Sequence, residues 1–433
     1  MSVVALLDCN HFYCACEQLF RPDLHDRPVV VLSNNDGCIV ARSPQAKALG
    51  VPMAAPYFKH REMLRRGGVH IFSSNYRLYG DMSARVMSII RQHSCAVEVY
   101  SIDEAFFRLD DDPMPIEQGH KIRTKVQQWT GLPVSIGIGP NKTLAKVAGH
   151  KAKHEGVYDL CDPAEQADIL KDLSVGKVWG VGRKMSTALM ATGIMTAGQL
   201  RAIDPHFIRR EYGVRGERIV RELRGMTCID APDEQGAHSL ISSRSFGQVV
   251  TDRANLLSAL AEHVMIVAEK LRHQGGYARA LSIFLRGDPP LTHPSSRPLL
   301  HPSQGSHRAH KNTLRVSKAL DFAHPTADTS RLLAAMRQTL MGCYVPGGRY
   351  RKVGVALCVT HSLAQEDFFS TGDDPNRRQL LDTIDQLNQR LGHRVVRFAT
   401  GSMPEAPWHP RRDFASPCYT TDWKDLPVVS CHV

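Results

Sequence analysis

The chain has 433 residues, 42% of them hydrophobic, and carries 54 Lys and Arg against 43 Asp and Glu, a formal charge of +11. That length accommodates two to four domains, and no apolar run approaches the ~20 residues that a bilayer crossing needs. The first residues lack the basic segment and longer apolar stretch of a signal peptide, so the protein reads as soluble and cytoplasmic.

In chain order, Val3 to Leu7 forms a first strand that ends in Asp8, and a helix follows near Cys14 to Phe20. Pro28 to Leu32 is a second strand, closed by the turn-rich Ser33-Asn34-Asn35-Asp36-Gly37. Leu78, Met82, Val86 and Ile90 recur every four residues and mark an amphipathic helix. Val97 to Leu109 reads as one strand with Asp103 and Glu104 inside it. Ile122, Val126 and Trp129 mark another helix, and Val134 to Ile138 another strand. This alternation through residue 166 describes one mixed α/β unit. Residues 167–230 are helical in character, and 231–240 is polar and reads as a linker. A basic α+β segment over 241–360 follows, with a helix from Asn255 to His273. Its strands are Ala280 to Arg286, Lys311 to Val316 and Lys352 to Val359. Beyond it, Leu380, Ile384, Leu387 and Leu391 outline a last amphipathic helix.

Two adjacent acids in an apolar run are costly unless a cation sits beside them. If the strands ending at Asp8 and holding Asp103 and Glu104 lie together, three hard oxygen ligands converge, a set that suits Mg²⁺. Gly137-Ile138-Gly139-Pro140-Asn141-Lys142 reads as a strand, a Gly turn and a helix start. Lys142, Lys146 and Lys153 on that helix either line a phosphate-holding face or are simply solvated. It is not a P-loop. Val178-Trp179-Gly180-Val181-Gly182-Arg183-Lys184 has the form of a helix-hairpin-helix turn, whose amides can approach a DNA phosphate. The charge excess is local: residues 239–362 hold 16 Lys and Arg against 6 Asp and Glu, as a domain gripping a polyanion requires. The eleven cysteines form no CxxC pair, and His293, His301, His307 and His310 lack a zinc-ligand spacing, so neither group reads as a metal site.

Together, Asp8-Cys9-Asn10-His11-Phe12-Tyr13, Ile102-Asp103-Glu104-Ala105 and Gly137 to Lys142 resemble the signatures of Y-family translesion DNA polymerases. Val31 to Cys38, Phe72 to Tyr76 and Ser243 to Gly247 resemble, more narrowly, the UmuC-type catalytic subunit of bacterial DNA polymerase V. The resemblance implies a multidomain α+β right hand. Palm and fingers would span 1–166 (fingers about 11–78), the thumb 167–230, the little finger 241–360, and a tail for clamp and accessory proteins 361–433. It implies error-prone, template-directed synthesis past damaged bases in the SOS response, with two Mg²⁺ ions held by Asp8, Asp103, Glu104 and the carbonyl of Cys9. Tyr13, backed by Phe12, takes the steric-gate position. Lys47 and Lys153 align with triphosphate-binding positions, and Gly180, Gly182, Arg183 and Lys184 with DNA-backbone contacts. Asn10 stands where many members have a second Asp, and Pro44 where other branches have a tyrosine. Gln365, Phe368 and Phe369 resemble a sliding-clamp-binding peptide. Further implied partners are primer-template DNA, deoxynucleoside triphosphates, a UmuD-type accessory dimer and a recombinase filament. A non-catalytic DNA- and clamp-binding repair regulator would not need the three acids.

Overall fold

The computed structural model describes residues 3–109, 114–229, 237–290, 313–361, 373–391, 395–401, 408 and 410–427. The chain divides into two compact units, one of residues 1–232 with 413–433 and one of residues 233–412. Among the described residues no helix is long and apolar enough to cross a membrane.

The first unit runs β1 (Val4–Cys9), α1 (Phe12–Leu19), β2 (Val29–Leu32), β3 (Ile39–Arg42), α2 (Pro44–Ala48), α3 (Tyr57–Arg66), β4 (His70–Ser73) and α4 (Tyr76–Arg91). It continues with β5 (Val97–Val99), β6 (Glu104–Arg108), α5 (Pro115–Thr130), β7 (Val134–Gly139), α6 (Lys142–Glu155) and β8 (Val157–Asp159). Five strands form a sheet in the order β5-β6-β1-β7-β8, with β1 antiparallel to both neighbours. A separate small sheet, β3-β2-β4, has its own apolar cluster around Val30, Leu32 and Leu64.

Strand β1 is buried on both faces, and its period of two divides its side chains between them. Ala5, Leu7 and Cys9 join a core with α1, α4 and α5. Val4 and Leu6 face Ala145 of α6 together with Phe106 of β6. Asp8 continues the Val4–Leu6 row and Glu104 the Phe106 row, so both acids point to the α6 side.

Helix α6 lies against β7 at backbone distance because Gly137 and Gly139 have no Cβ. One at Gly137 would lie 2.7 Å from Gly149 Cα, and one at Gly139 would lie 2.8 Å from Ala145 N. These glycines are therefore inside a strand and admit a helix. The Gly turn read from the sequence is corrected on this point.

Two other expectations are also corrected. Val97 to Leu109 is a hairpin of β5 and β6, with Val97 opposite Phe107 and Asp103 in the connecting turn. The apolar row on the last helix, α13 below, is largely in solvent. The helix marked by Ile122, Val126 and Trp129 is present as α5, with Trp129 57% exposed beside Lys125.

Four helices follow: α7 (Pro163–Asp172), α8 (Arg183–Ala191), α9 (Ala197–Ala202) and α10 (Pro205–Leu223), around a core of Leu170, Val178, Leu189 and Val220. The second unit contains β9 (Ser239–Val250), α11 (Arg253–His273), β10 (Tyr277–Asp288), β11 (Leu314–Thr326), α12 (Thr329–Met341), β12 (Arg349–Thr360) and α13 (Pro375–Arg390). Its sheet, β11-β10-β12-β9, is wholly antiparallel, and α11 and α12 share its apolar core. The Arg272–Asp385 ion pair, 2.7 Å and mostly buried, ties α13 to α11. On α13 only Leu381 is buried, while Leu380, Leu387 and Leu391 are exposed.

Candidate active site

Asp8 on β1 and Glu104 on β6 are directly opposed across an antiparallel pair. Like charges in that position repel, so the fold must supply cations. It does so from α6. Lys146 Nζ donates to both carboxylate oxygens of Glu104 at 2.9 Å, and Lys153 Nζ lies 3.2 Å from Asp8 Oδ1. One turn before Lys146, Lys142 pairs with Glu98 of β5. The three lysines, at spacings of four and seven, therefore meet three acids of one sheet.

At the start of α6 the donors are engaged within the protein. Thr143 N–H donates to the fully buried Glu222 carboxylate of α10 at 3.0 Å, and the Asn141 cap donates to the Glu222 carbonyl at 2.8 Å. The anion at the α6 N-terminus is thus a side chain of the protein itself.

Asp103 sits at the end of the β5–β6 turn. Its carboxylate accepts from Ser101 Oγ at 2.6 Å, and the same Oγ accepts from the Glu104 N–H at 3.1 Å. Cys9 N–H donates to the Asp103 carbonyl at 2.9 Å, joining the β1 end to this turn. Burial pushes the Asp8 carboxyl up to about 6; Lys153 opposes the shift and Glu104 adds to it. Burial, with Asp103 and the other acids adding to it, raises the Cys9 thiol. Asn10 Oδ1 accepts from Ser135 Oγ at 2.9 Å, which gives that residue a structural partner on β7.

Three carboxylates with hard oxygen donors at one sheet end fit a divalent cation. Among the described residues no His, Cys, Asp and Glu group is already drawn into a cage. Lys146 and Lys153 hold the Glu104 and Asp8 oxygens instead.

Next to the acids, His11 turns the chain with φ +42° and starts α1. Phe12 is 3% exposed and belongs to the core, whereas Tyr13 is half-buried. The Tyr13 ring stacks on Tyr79 (centroids 4.4 Å, 15°) and meets Tyr76 edge-on. Lys47 is exposed on α2, and Gly180 (φ +88°), Gly182, Arg183 and Lys184 are exposed where α8 begins. In the second unit, Arg315, Arg286 and Lys352 lie opposite one another on β11, β10 and β12, a row of cations across one sheet. Gln365, Phe368, Phe369 and the four loop histidines lie outside the described residues.

Ser101, Glu222 and the Tyr79 platform were not singled out from the sequence. Only Ser101 carried a readable signal, as a hydroxyl two residues before an acid at a turn.

The fold is that of the Y-family DNA polymerases. In keeping with that fold, the structure resembles a Y-family DNA polymerase chimera of Dbh and Dpo4. The match covers 82% of this chain and 98% of that one, with a TM-score of 0.61 at 18% identity. The family model described as impB/mucB/samB matches residues 7–150 and its C-terminal domain 237–358, and a domain of unknown function matches 378–429. The chain is 40% identical to Protein ImpB of Salmonella typhimurium and 40% identical to Protein UmuC of its strain LT2. Each match covers 98% of this chain and 99% of the relative. The chain belongs to the impB/mucB/samB family.

Proposed function

We propose that this protein is an error-prone, template-directed DNA polymerase that copies past damaged bases in the SOS response by nucleotidyl transfer to a primer 3′-OH. The observation that carries the reading is the Asp8–Glu104 cross-strand pair with Asp103 beside it, faced by lysines, in a chain of this family. Asp8, Asp103, Glu104 and the carbonyl of Cys9 would hold two Mg²⁺ ions. Held there, such ions would lower the pKa of the primer hydroxyl and would neutralise charge on the leaving pyrophosphate.

The chain's own groups position the reactants. Tyr13 excludes a ribose 2′-OH. Lys47 and Lys153 reach the triphosphate, and Lys153, half exposed, is free to swing from Asp8 once a cation takes its place. Residues 1–166 act as palm and fingers and 167–230 as thumb, where the exposed Gly180 and Gly182 and the Arg183 and Lys184 side chains meet the DNA backbone. The 241–360 sheet acts as little finger. Its Arg315–Arg286–Lys352 row is stabilised by phosphates, since like charges in register are otherwise unfavourable. The 361–433 region would serve the clamp, through Gln365, Phe368 and Phe369, and also the accessory dimer and recombinase filament.

The test is primer extension by the full chain on undamaged and abasic templates with Mg²⁺. Extension that stops with chelator and in Asp103→Ala supports the reading; wild-type extension by Asp103→Ala overturns the ligand assignment.

A further inference from the structure

Residues 413–427 leave the second unit's part of the chain and pack on the first unit. The segment is fastened along its length. Asp413 N–H donates to Asp36 Oδ2 at 2.8 Å, Phe414 exchanges two hydrogen bonds with Ser73, and the Tyr419 ring stacks on Phe20 at 4.7 Å. Ser416 is the residue that reaches toward the site. Its Oγ donates to Glu17 Oε1 at 3.0 Å, and the same oxygen accepts from Tyr79 OH at 2.6 Å. Glu17 and Tyr79 are both fully buried. Ser416 Oγ also accepts from Asn75 Nδ2 at 3.0 Å, and Asn75 caps α4 by accepting from Leu78 N–H. A single hydroxyl therefore ties together the cap of the helix that carries Tyr76 and Tyr79 and the carboxylate that fixes the Tyr79 hydroxyl. Those two rings are the surface on which Tyr13 rests.

We propose that the 413–427 segment is a sugar-specificity element, in which Ser416 acts through Glu17 and Tyr79 as a positioning residue for Tyr13. The inference rests on Tyr13 being the gate against ribonucleotides. A gate discriminates only while its ring is held within a fraction of an ångström of the sugar, because the penalty it imposes is a steric one. Tyr13 is half-buried on α1 with its ring against Tyr79 and Tyr76, so that back support fixes the distance. That support ends at the C-terminal segment.

The experiment compares dissociation constants of dCTP and rCTP opposite template dG, with the full chain on a dideoxy-terminated primer, so that no turnover is needed. Ser416→Ala should lower the dCTP/rCTP selectivity by about tenfold, the low end for the loss of one hydrogen bond to a charged group, while leaving dCTP binding close to wild type. Ser416→Thr, which keeps the hydroxyl, should restore the selectivity. Tyr13→Ala, the control, should abolish most of it. Unchanged selectivity in Ser416→Ala beside a collapsed Tyr13→Ala overturns the positioning role and leaves the gate intact. A parallel loss of dCTP and rCTP binding, or failure of the Thr variant to restore selectivity, also overturns it. Unchanged selectivity in Tyr13→Ala removes the gate reading itself, and this inference with it.

Discussion

Lys146→Met removes one of the two cations that hold the acidic strand ends together, and with it the ammonium that sits over the Tyr100, Phe106 and Trp179 rings. Glu104 then faces Asp8 with a single lysine nearby. Stripping one partner from a fully buried ion pair costs about 3–5 kcal/mol. The Lys146 and Glu104 side chains are 17% and 18% exposed, so water recovers part of that. About 2 kcal/mol remains, the weight of two charged hydrogen bonds in a partly wet site. For a unit of this size that lowers the melting temperature by about 4–8 °C. Without metal, differential scanning calorimetry on the full chain should show this shift in the first unit's transition. Saturating Mg²⁺ should raise the melting temperature more in the variant than in the wild type, because no lysine has to give way at Glu104. Equal Mg²⁺ shifts, or a variant as stable as wild type without metal, would refute the reasoning.

Gly137→Ala places a methyl group inside the backbone of α6 at Ala145 and Gly149, so that the helix carrying Lys146 and Lys153 must move outward. Overpacking of this kind costs about 1–3 kcal/mol, and a matching drop in denaturation midpoint with a loss of extension activity is expected. The pH dependence of the metal-free chain follows from Asp8. Its folded pKa, about 6, lies above the unfolded value of 3.8, so its contribution is present below pH 4 and is lost as pH rises through 6. Two units correspond to about 2–3 kcal/mol. Asp8→Asn should flatten the fall in stability between pH 4 and 6 in urea titrations, and an unchanged pH profile would assign that shift elsewhere.

What was legible in the sequence was the alternation of apolar residues and the places where acids interrupt it. That is why β1, β7, α4 and α11 lie within a few residues of where the pattern puts them, and why Asp8, Asp103 and Glu104 read as acids that meet if their strands lie together. The β5–β6 turn was hidden because Tyr100-Ser101-Ile102-Asp103 contains neither Gly nor Pro; a serine hydroxyl closes it. The glycines of β7 signalled a turn, although their function is to admit α6, a contact set by tertiary packing. The α13 row obeys helical spacing and is nonetheless exposed, since periodicity names a face without naming what covers it. The 413–427 segment has no periodicity at all. It is held by side-chain hydrogen bonds to residues more than 300 positions away, and nothing local announces them.

The central claim, that Asp8, Asp103 and Glu104 hold the catalytic metal ions of a polymerase, is tested most directly by Mn²⁺ titration followed by electron paramagnetic resonance. The titration uses the full chain bound to dideoxy-terminated primer-template and deoxynucleoside triphosphate. Two Mn²⁺ ions bound per wild-type complex, with fewer in Asp8→Asn and Asp103→Ala while DNA affinity holds, is the predicted result. The same Mn²⁺ stoichiometry and affinity in all three proteins would contradict it.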